Sequence, residues 1–173
     1  LRQTTRSVPI VFALVADPVG GGFVESLARP GGNATGFTLF EYSISGKWLQ
    51  LLKEIAPRMT RAAFIRDYAS PSGIGQFAAL QSVAPSAGVE VTPINVGDAD
   101  EIERSVTAFA HSSNGGLIVT TTSVAIVHRG LIIETAARHK LPTIYWDRFY
   151  VTGGRAKRRA GRGAGDGTAT RHS

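Results

Sequence analysis

Residues 116–146 read GLIVTTTSVAIVHRGLIIETAARHKLPTIYW and contain an apolar run, a longer stretch and a second apolar run. The two runs, 116–120 and 142–146, are rich in β-branched and aromatic residues, which favour strands. Between them, residues 124–139 are apolar on nearly all sides, which is typical of a helix packed against several neighbours. A strand, a helix and a strand in this order predict a parallel βαβ unit.

The same alternation continues towards the N-terminus. Amphipathic patterns around 46–56 and 99–110 predict two further helices, and a weaker pattern lies around 72–86. Asp98 and Glu101 have the spacing of a capping box at the start of the 99–110 helix. Most of the strand-like runs are continuously apolar, which indicates parallel strands covered on both faces. The sequence therefore predicts an α/β fold with a parallel sheet flanked by helices. The other predicted strands are 9–15, 35–40, 62–66 and 89–96.

The first 36 residues are organised differently from the rest. After the strand at 9–15 comes a segment rich in Gly and Pro, then a short predicted helix at 24–28. The regular alternation of strands and helices begins only near residues 36–40. We therefore divide the chain into 1–36, an α/β region at 37–151 and a tail at 152–173.

The net charge of +6 is concentrated in the tail, which contains six Lys and Arg side chains and a single acid, Asp166. This segment has no aromatic or large aliphatic residue, so it is predicted to be a disordered basic tail. It lacks aromatics for base stacking, and no nucleic-acid partner is predicted. No apolar run approaches the roughly 20 residues that cross a bilayer, so membrane insertion is not expected.

Motifs for catalysis and cofactor binding are incomplete. Gly20 and Gly22 begin a dinucleotide fingerprint, but Glu25 stands where its third glycine belongs. The chain has no cysteine, and His128 and His139 lie eleven residues apart, which does not suit ligands on one helix face. No G-x-S-x-G elbow is present. We therefore predict no enzyme activity, no cofactor and no metal site.

Polar side chains follow four of the predicted strands, at the edge where open α/β sheets bind ligands. Carboxylates, an arginine and hydroxyls on one edge suit a small zwitterionic or carboxylate ligand. Each residue also has a structural alternative: Asp67 and Ser123 are candidates for helix caps, and Trp146 for the core. The candidate ligand-binding residues are Asp17, Arg66, Asp67, Thr121, Thr122, Ser123 and Asp147.

Two blocks of sequence resemble a known family. Residues 17–20 (DPVG) and 28–36 (ARPGGNATG) together are similar to ABC-transporter substrate-binding proteins of the type I periplasmic-binding fold. Pieces at 46–57, 114–119 and 136–142 agree, and the resemblance extends from about residue 4 to 154.

The resemblance implies two lobes that hold a small polar solute, such as an amino acid or carboxylate, in the cleft between them. Asp17 would be a contact from the first lobe, and the other candidates would be contacts from the second. The partners would be the solute and an ABC permease, and the full-length parent would be periplasmic. The lobes would then be a remnant of lobe one at 1–36 and lobe two at 37–151.

The chain also departs from the family pattern. It shows no export signal and lacks the first strands of lobe one, and the similarity stops after Gly153 and Gly154. We interpret it as a truncated fragment with an aberrant, frameshifted C-terminus, in which solute capture is impaired. The alternative function is a flavodoxin-like regulatory or enzymatic α/β domain, which the fold alone leaves open.

Overall fold

The computed structural model describes residues 7–39, 41–67 and 70–150. The predicted basic tail lies outside these residues. The strands are β1 (Ile10–Val15), β2 (Ala34–Thr38), β3 (Arg61–Arg66), β4 (Glu90–Asn95), β5 (Gly115–Val119) and β6 (Thr143–Tyr145). The helices are α1 (Ile44–Ile55), α2 (Pro71–Val83), a 3₁₀ turn (Pro85–Ala87), α3 (Ala99–Ala110), α4 (Ser123–Val127) and α5 (Arg129–Arg138).

The strands form two parallel sheets. The larger has the order β4-β3-β5-β6, with Arg61 opposite both Glu90 and Gly115, and Leu117 opposite Thr143. The smaller consists of β1 and β2. Parallel strands joined through helices confirm the predicted α/β class.

Each face of the larger sheet supports its own hydrophobic cluster. Phe64 of β3 points to the face covered by α1 and α2, and its ring packs against Phe77 at 5.7 Å between centroids. Ala63 and Ile65 point to the opposite face, towards α3 and α5. Because both faces are covered, successive residues of β3 are buried, which explains the continuous apolar run in its sequence.

The start of α3 has the predicted cap. Asp98 Oδ1 accepts a hydrogen bond from the backbone N–H of Glu101 at 2.8 Å. Glu101 Oε2 in turn accepts from the backbone N–H of Gly97 at 2.7 Å. The reciprocal pair satisfies donors at the helix start that have no partner within the helix. The predicted boundaries of α3 are confirmed at both ends.

Two predicted helices are wrong in detail. Residues 24–28 form bends and not a helix, because Ser26 Oγ accepts from the backbone N–H of Arg29 and competes with helical bonding. Five residues are also too few to offset the cost of helix nucleation. The single helix predicted at 124–139 is divided at His128 into α4 and α5. The β-branched run before His128 and the glycine at 130 both weaken a continuous helix there.

The β1–β2 pair leaves apolar side chains open to solvent. Val11 and Phe37, on one face of the pair, are 70% and 75% exposed. A Cβ on Gly36 would overlap the carbonyl oxygen of Phe12, so the close approach of the two strands requires glycine at this position. Since β2 pairs with β1, the pair is separate from the four-stranded sheet in its hydrogen bonding. The division of the chain at residue 36 stays a prediction.

Candidate functional site

The carboxyl ends of all four strands in the larger sheet meet at one edge. Following the strand order, the last residues of β4 and β3 are Asn95 and Arg66, while Thr120 and Trp146 directly follow β5 and β6. The predicted site residues after residue 60 therefore belong to segments that reach this edge, where parallel sheets bind ligands.

Arg66 is held in place by two contacts. Its Nε donates a hydrogen bond to Asn95 Oδ1 at 2.8 Å, across the register that pairs the two residues. Its guanidinium carbon lies 4.9 Å from the centre of the Phe77 ring, in a cation–π arrangement. No carboxylate of the described residues forms an ion pair with Arg66, so within this part of the chain its charge has no counter-ion.

The hydroxyls after β5 have different roles. Thr120 is buried and donates to the carbonyl oxygen of Ile65 at 2.8 Å, which ties β5 to β3 at the site edge. Thr122 Oγ1 accepts from the backbone N–H of Ala125 at 3.0 Å and caps α4. The cap is therefore Thr122 and not Ser123, which is the exposed first residue of the helix. Thr121, which lies between Thr120 and Thr122 in the sequence, is half-buried.

An aromatic group follows β6. Asp147 Oδ1 accepts from the backbone N–H of Phe149 at 2.8 Å, which fixes the turn after the strand. Trp146 meets Phe149 edge-on, with ring centroids 5.5 Å apart, and packs against both core clusters. The Nε1 of Trp146 and the hydroxyl of Tyr150 are buried near each other, and neither forms a hydrogen bond of good geometry among the described residues. The Trp146 ring thus belongs to the core, while its indole N–H is a hydrogen-bond donor near the site edge.

Asp67 joins β3 to α2. Its carbonyl oxygen accepts from the backbone N–H of Ser70 at 3.2 Å. A Cβ on Gly73 would lie 2.9 Å from the same oxygen, so the first turn of α2 packs tightly against Asp67. The N-cap position of α2 is Ser70 and not Asp67.

Asp17, the candidate from the N-terminal region, lies beside Tyr42. Asp17 Oδ1 accepts from the backbone N–H of Gly20 at 2.7 Å. The Tyr42 hydroxyl is buried near this carboxylate, although the two do not form a hydrogen bond of good geometry. Burial and, secondarily, the Asp17 carboxylate raise the pKa of Tyr42 well above its ordinary value. The Tyr42 ring also fills the space where a side chain on Gly75 would lie.

The buried phenols predict loss of stability in alkali. Burial is the main cause that raises the pKa of Tyr42, Tyr145 and Tyr150. The unfolded chain then ionises first, so the free energy of unfolding should be constant at neutral pH and fall above about pH 10. Urea unfolding across this range measures the decline, and Tyr42→Phe should make it shallower. An identical decline in the Tyr42→Phe variant would contradict the raised pKa.

Three residues at this site were missed by the sequence analysis. Asn95 lies one residue before the end of the strand predicted at 89–96, so its place near the sheet edge was accessible from the strand pattern. Phe77 and Tyr42 gave no signal of their own, because their contacts with Arg66 and Asp17 join segments that are distant in the chain.

The described residues contain no cluster of three or more His, Asp or Glu side chains arranged to hold a metal ion. None of the described helices has the length and apolar character required to span a membrane.

Comparison with known proteins gives a curated relative and several solved structures. A curated "Tyrosine-binding protein" from Clostridioides difficile is 25% identical over 152 residues, which are 88% of this chain and 43% of that protein. The chain thus spans less than half the length of this curated relative.

Solved structures agree on the fold. An ABC domain in complex with L-Trp from Streptococcus pneumoniae matches with a TM-score of 0.74 at 20% identity, over 95% of this chain and 60% of that one. The ligand-free, open form of a substrate-binding protein with adhesive properties from Clostridium difficile matches with a TM-score of 0.61 at 25% identity. That match covers 83% of this chain and 48% of the other.

The sequence pattern of the family described as "ABC transporter substrate binding protein" matches residues 1–157. This range includes both sheets, every described helix and all seven candidate residues. The chain belongs to the family of ABC transporter substrate-binding proteins.

Proposed function

We propose that the sheet edge formed by β3, β5 and β6 provides the second-lobe groups that bind an amino acid in a solute-binding protein of an ABC importer. The observation that carries this proposal is Arg66, whose charge stands at the edge without a counter-ion among the described residues. A guanidinium in this state is suited to a ligand carboxylate.

The other groups at the edge fit the remaining parts of an amino acid. Asp147 keeps its Oδ2 for an ammonium group, since Oδ1 is occupied by the turn. Thr121 and Ser123 supply hydroxyls, whereas Thr122 acts mainly through its cap of α4. Asp17 is the contact proposed from the N-terminal region, and Asp67 the one proposed between β3 and α2.

The amino-acid class is supported by two further observations. The curated relative at 25% identity is named a tyrosine-binding protein. In this chain, Trp146 and Phe149 form an aromatic wall next to Asp147, and this wall matches an aromatic or apolar side chain. Capture is proposed to be non-catalytic, with delivery by the full-length protein to an ABC permease from the periplasmic side.

Affinity in two-lobed binding proteins depends on closure of both lobes over the ligand. This chain spans 43% of the tyrosine-binding relative, so we propose that binding by this chain alone is weak.

NMR titration of the 15N-labelled chain with L-tyrosine tests the proposal, because it detects millimolar binding. We expect shifts in fast exchange at the ends of β3, β5 and β6. Tyramine and 3-(4-hydroxyphenyl)propionate serve as controls, since each lacks one charged group of the amino acid, and both should bind more weakly. No shift with tyrosine, leucine or glutamate, or shifts confined to other surfaces, would contradict the site. Tight, slow-exchange binding would contradict the proposed weakness.

A further inference from the structure

Arg66 is the last residue of β3, and a side chain of this length has many rotamers when only its charge is fixed. Here the hydrogen bond from Nε to Asn95 Oδ1 fixes one edge of the guanidinium plane at 2.8 Å. The Phe77 ring covers one face of the same plane at 4.9 Å. Phe77 is itself held by Phe64, so the support for Arg66 reaches into the core. Both Nη atoms are left without an intramolecular hydrogen bond among the described residues.

The chemical type of residue 95 matters for the charge of Arg66. An amide oxygen accepts hydrogen bonds but carries no net charge. A carboxylate at the same position would also accept from Nε, but it would form an ion pair and compete with an anionic ligand. Asn95 therefore orients the guanidinium and leaves its positive charge available.

We propose that Asn95 is a positioning residue of the ligand site, which holds Arg66 with its charge directed to the carboxylate of the ligand. This inference rests on the proposed function and adds a residue that does not itself contact the ligand. Because the bond joins β3 to β4, the edge strand of the sheet takes part in recognition through Arg66.

The test compares L-tyrosine with L-tyrosinamide, whose carboxylate is replaced by a neutral amide. NMR titration of the 173-residue chain gives both dissociation constants. The constant for tyrosinamide divided by the constant for tyrosine measures recognition of the carboxylate. Asn95→Ala should reduce this ratio by about threefold to tenfold, as expected for loss of a hydrogen bond that orients a charged group. Thr92→Ala, at an exposed position on the same strand, should leave the ratio unchanged.

Asn95→Asp separates positioning from a merely structural role. The aspartate keeps a hydrogen-bond acceptor for Nε, so the stability of the chain should be unchanged or higher. The ratio should nevertheless fall, because the new carboxylate neutralises Arg66. If residue 95 only stabilised the strand pair, Asn95→Asp would keep the ratio of the wild-type chain.

Two failures can be distinguished. If the wild-type chain binds tyrosine better than tyrosinamide and neither Asn95 variant changes the ratio, the positioning role is overturned and the proposed function stands. If the wild-type chain binds neither compound, or binds both equally, the carboxylate site on Arg66 is wrong and both proposals are overturned.

Discussion

Phe64→Ala should lower the free energy of unfolding by about 3–5 kcal/mol, the range found for truncation of a buried phenylalanine. Phe64 is 0% exposed, lies on the central strand β3 and packs against Phe77. Domains of this size have total stabilities of about 5–15 kcal/mol, so the loss would be a large part of the whole. Urea denaturation followed by circular dichroism measures it. The cavity would also remove the support beneath Phe77 and Arg66.

Phe37→Ala is the matched control, because it makes the same truncation at a side chain that is 75% exposed. Its effect should stay within about 0.5 kcal/mol, as for other surface substitutions. Phe64→Leu fills most of the cavity and keeps the comparison usable if the alanine variant does not fold. Equal losses at positions 64 and 37 would show that the core does not lie between β3 and α2.

Limited digestion with chymotrypsin should cut the chain first in the N-terminal region. Leu14 and Phe37 are 73% and 75% exposed on a two-stranded sheet, whereas the large apolar side chains of β3 and β5 are buried. A two-stranded sheet is marginally stable, and local opening makes such segments the earliest sites of proteolysis. We expect cleavage after Leu14, Phe23 or Phe37 well before any cleavage between residues 41 and 150.

Chymotrypsin suits this test because residues 152–173 contain no aromatic or large aliphatic side chain. The tail is thus not a substrate, and the fragments seen by mass spectrometry report cuts outside the tail. Cleavage within 41–150 at the same rate as within 7–39 would contradict the division of the chain into a weak N-terminal region and a stable α/β region.

The sequence was sufficient to predict the parts of the fold that depend on local pattern. The apolar run around Phe64 predicted a strand buried on both faces, and the Asp98–Glu101 pair predicted the start of α3. Both signals lie within a few residues of the element that they define. The break at His128 was missed because a run of apolar residues is compatible with one helix or with two.

The candidate site was only partly accessible in this way. Polar residues at strand ends, such as Arg66 and Asp147, are visible in the sequence because parallel strands end at the same edge. The bond between Arg66 and Asn95 depends on a register between strands 29 residues apart, which no local pattern specifies. The approach of Tyr42 to Asp17 likewise depends on how two separate segments pack.

The strand order β4-β3-β5-β6 also bears on how the chain is made. β4 and β5 are both synthesised after β3, with which they pair, and β6 is synthesised after its partner β5. Each strand that leaves the ribosome after β3 therefore meets an edge that already exists, on one side or the other of the growing sheet. Synthesis from the N-terminus favours folding in this order. The larger sheet can thus assemble outward from β3 during translation. Each new strand can pair as soon as it is made, because its partner strand has already been synthesised.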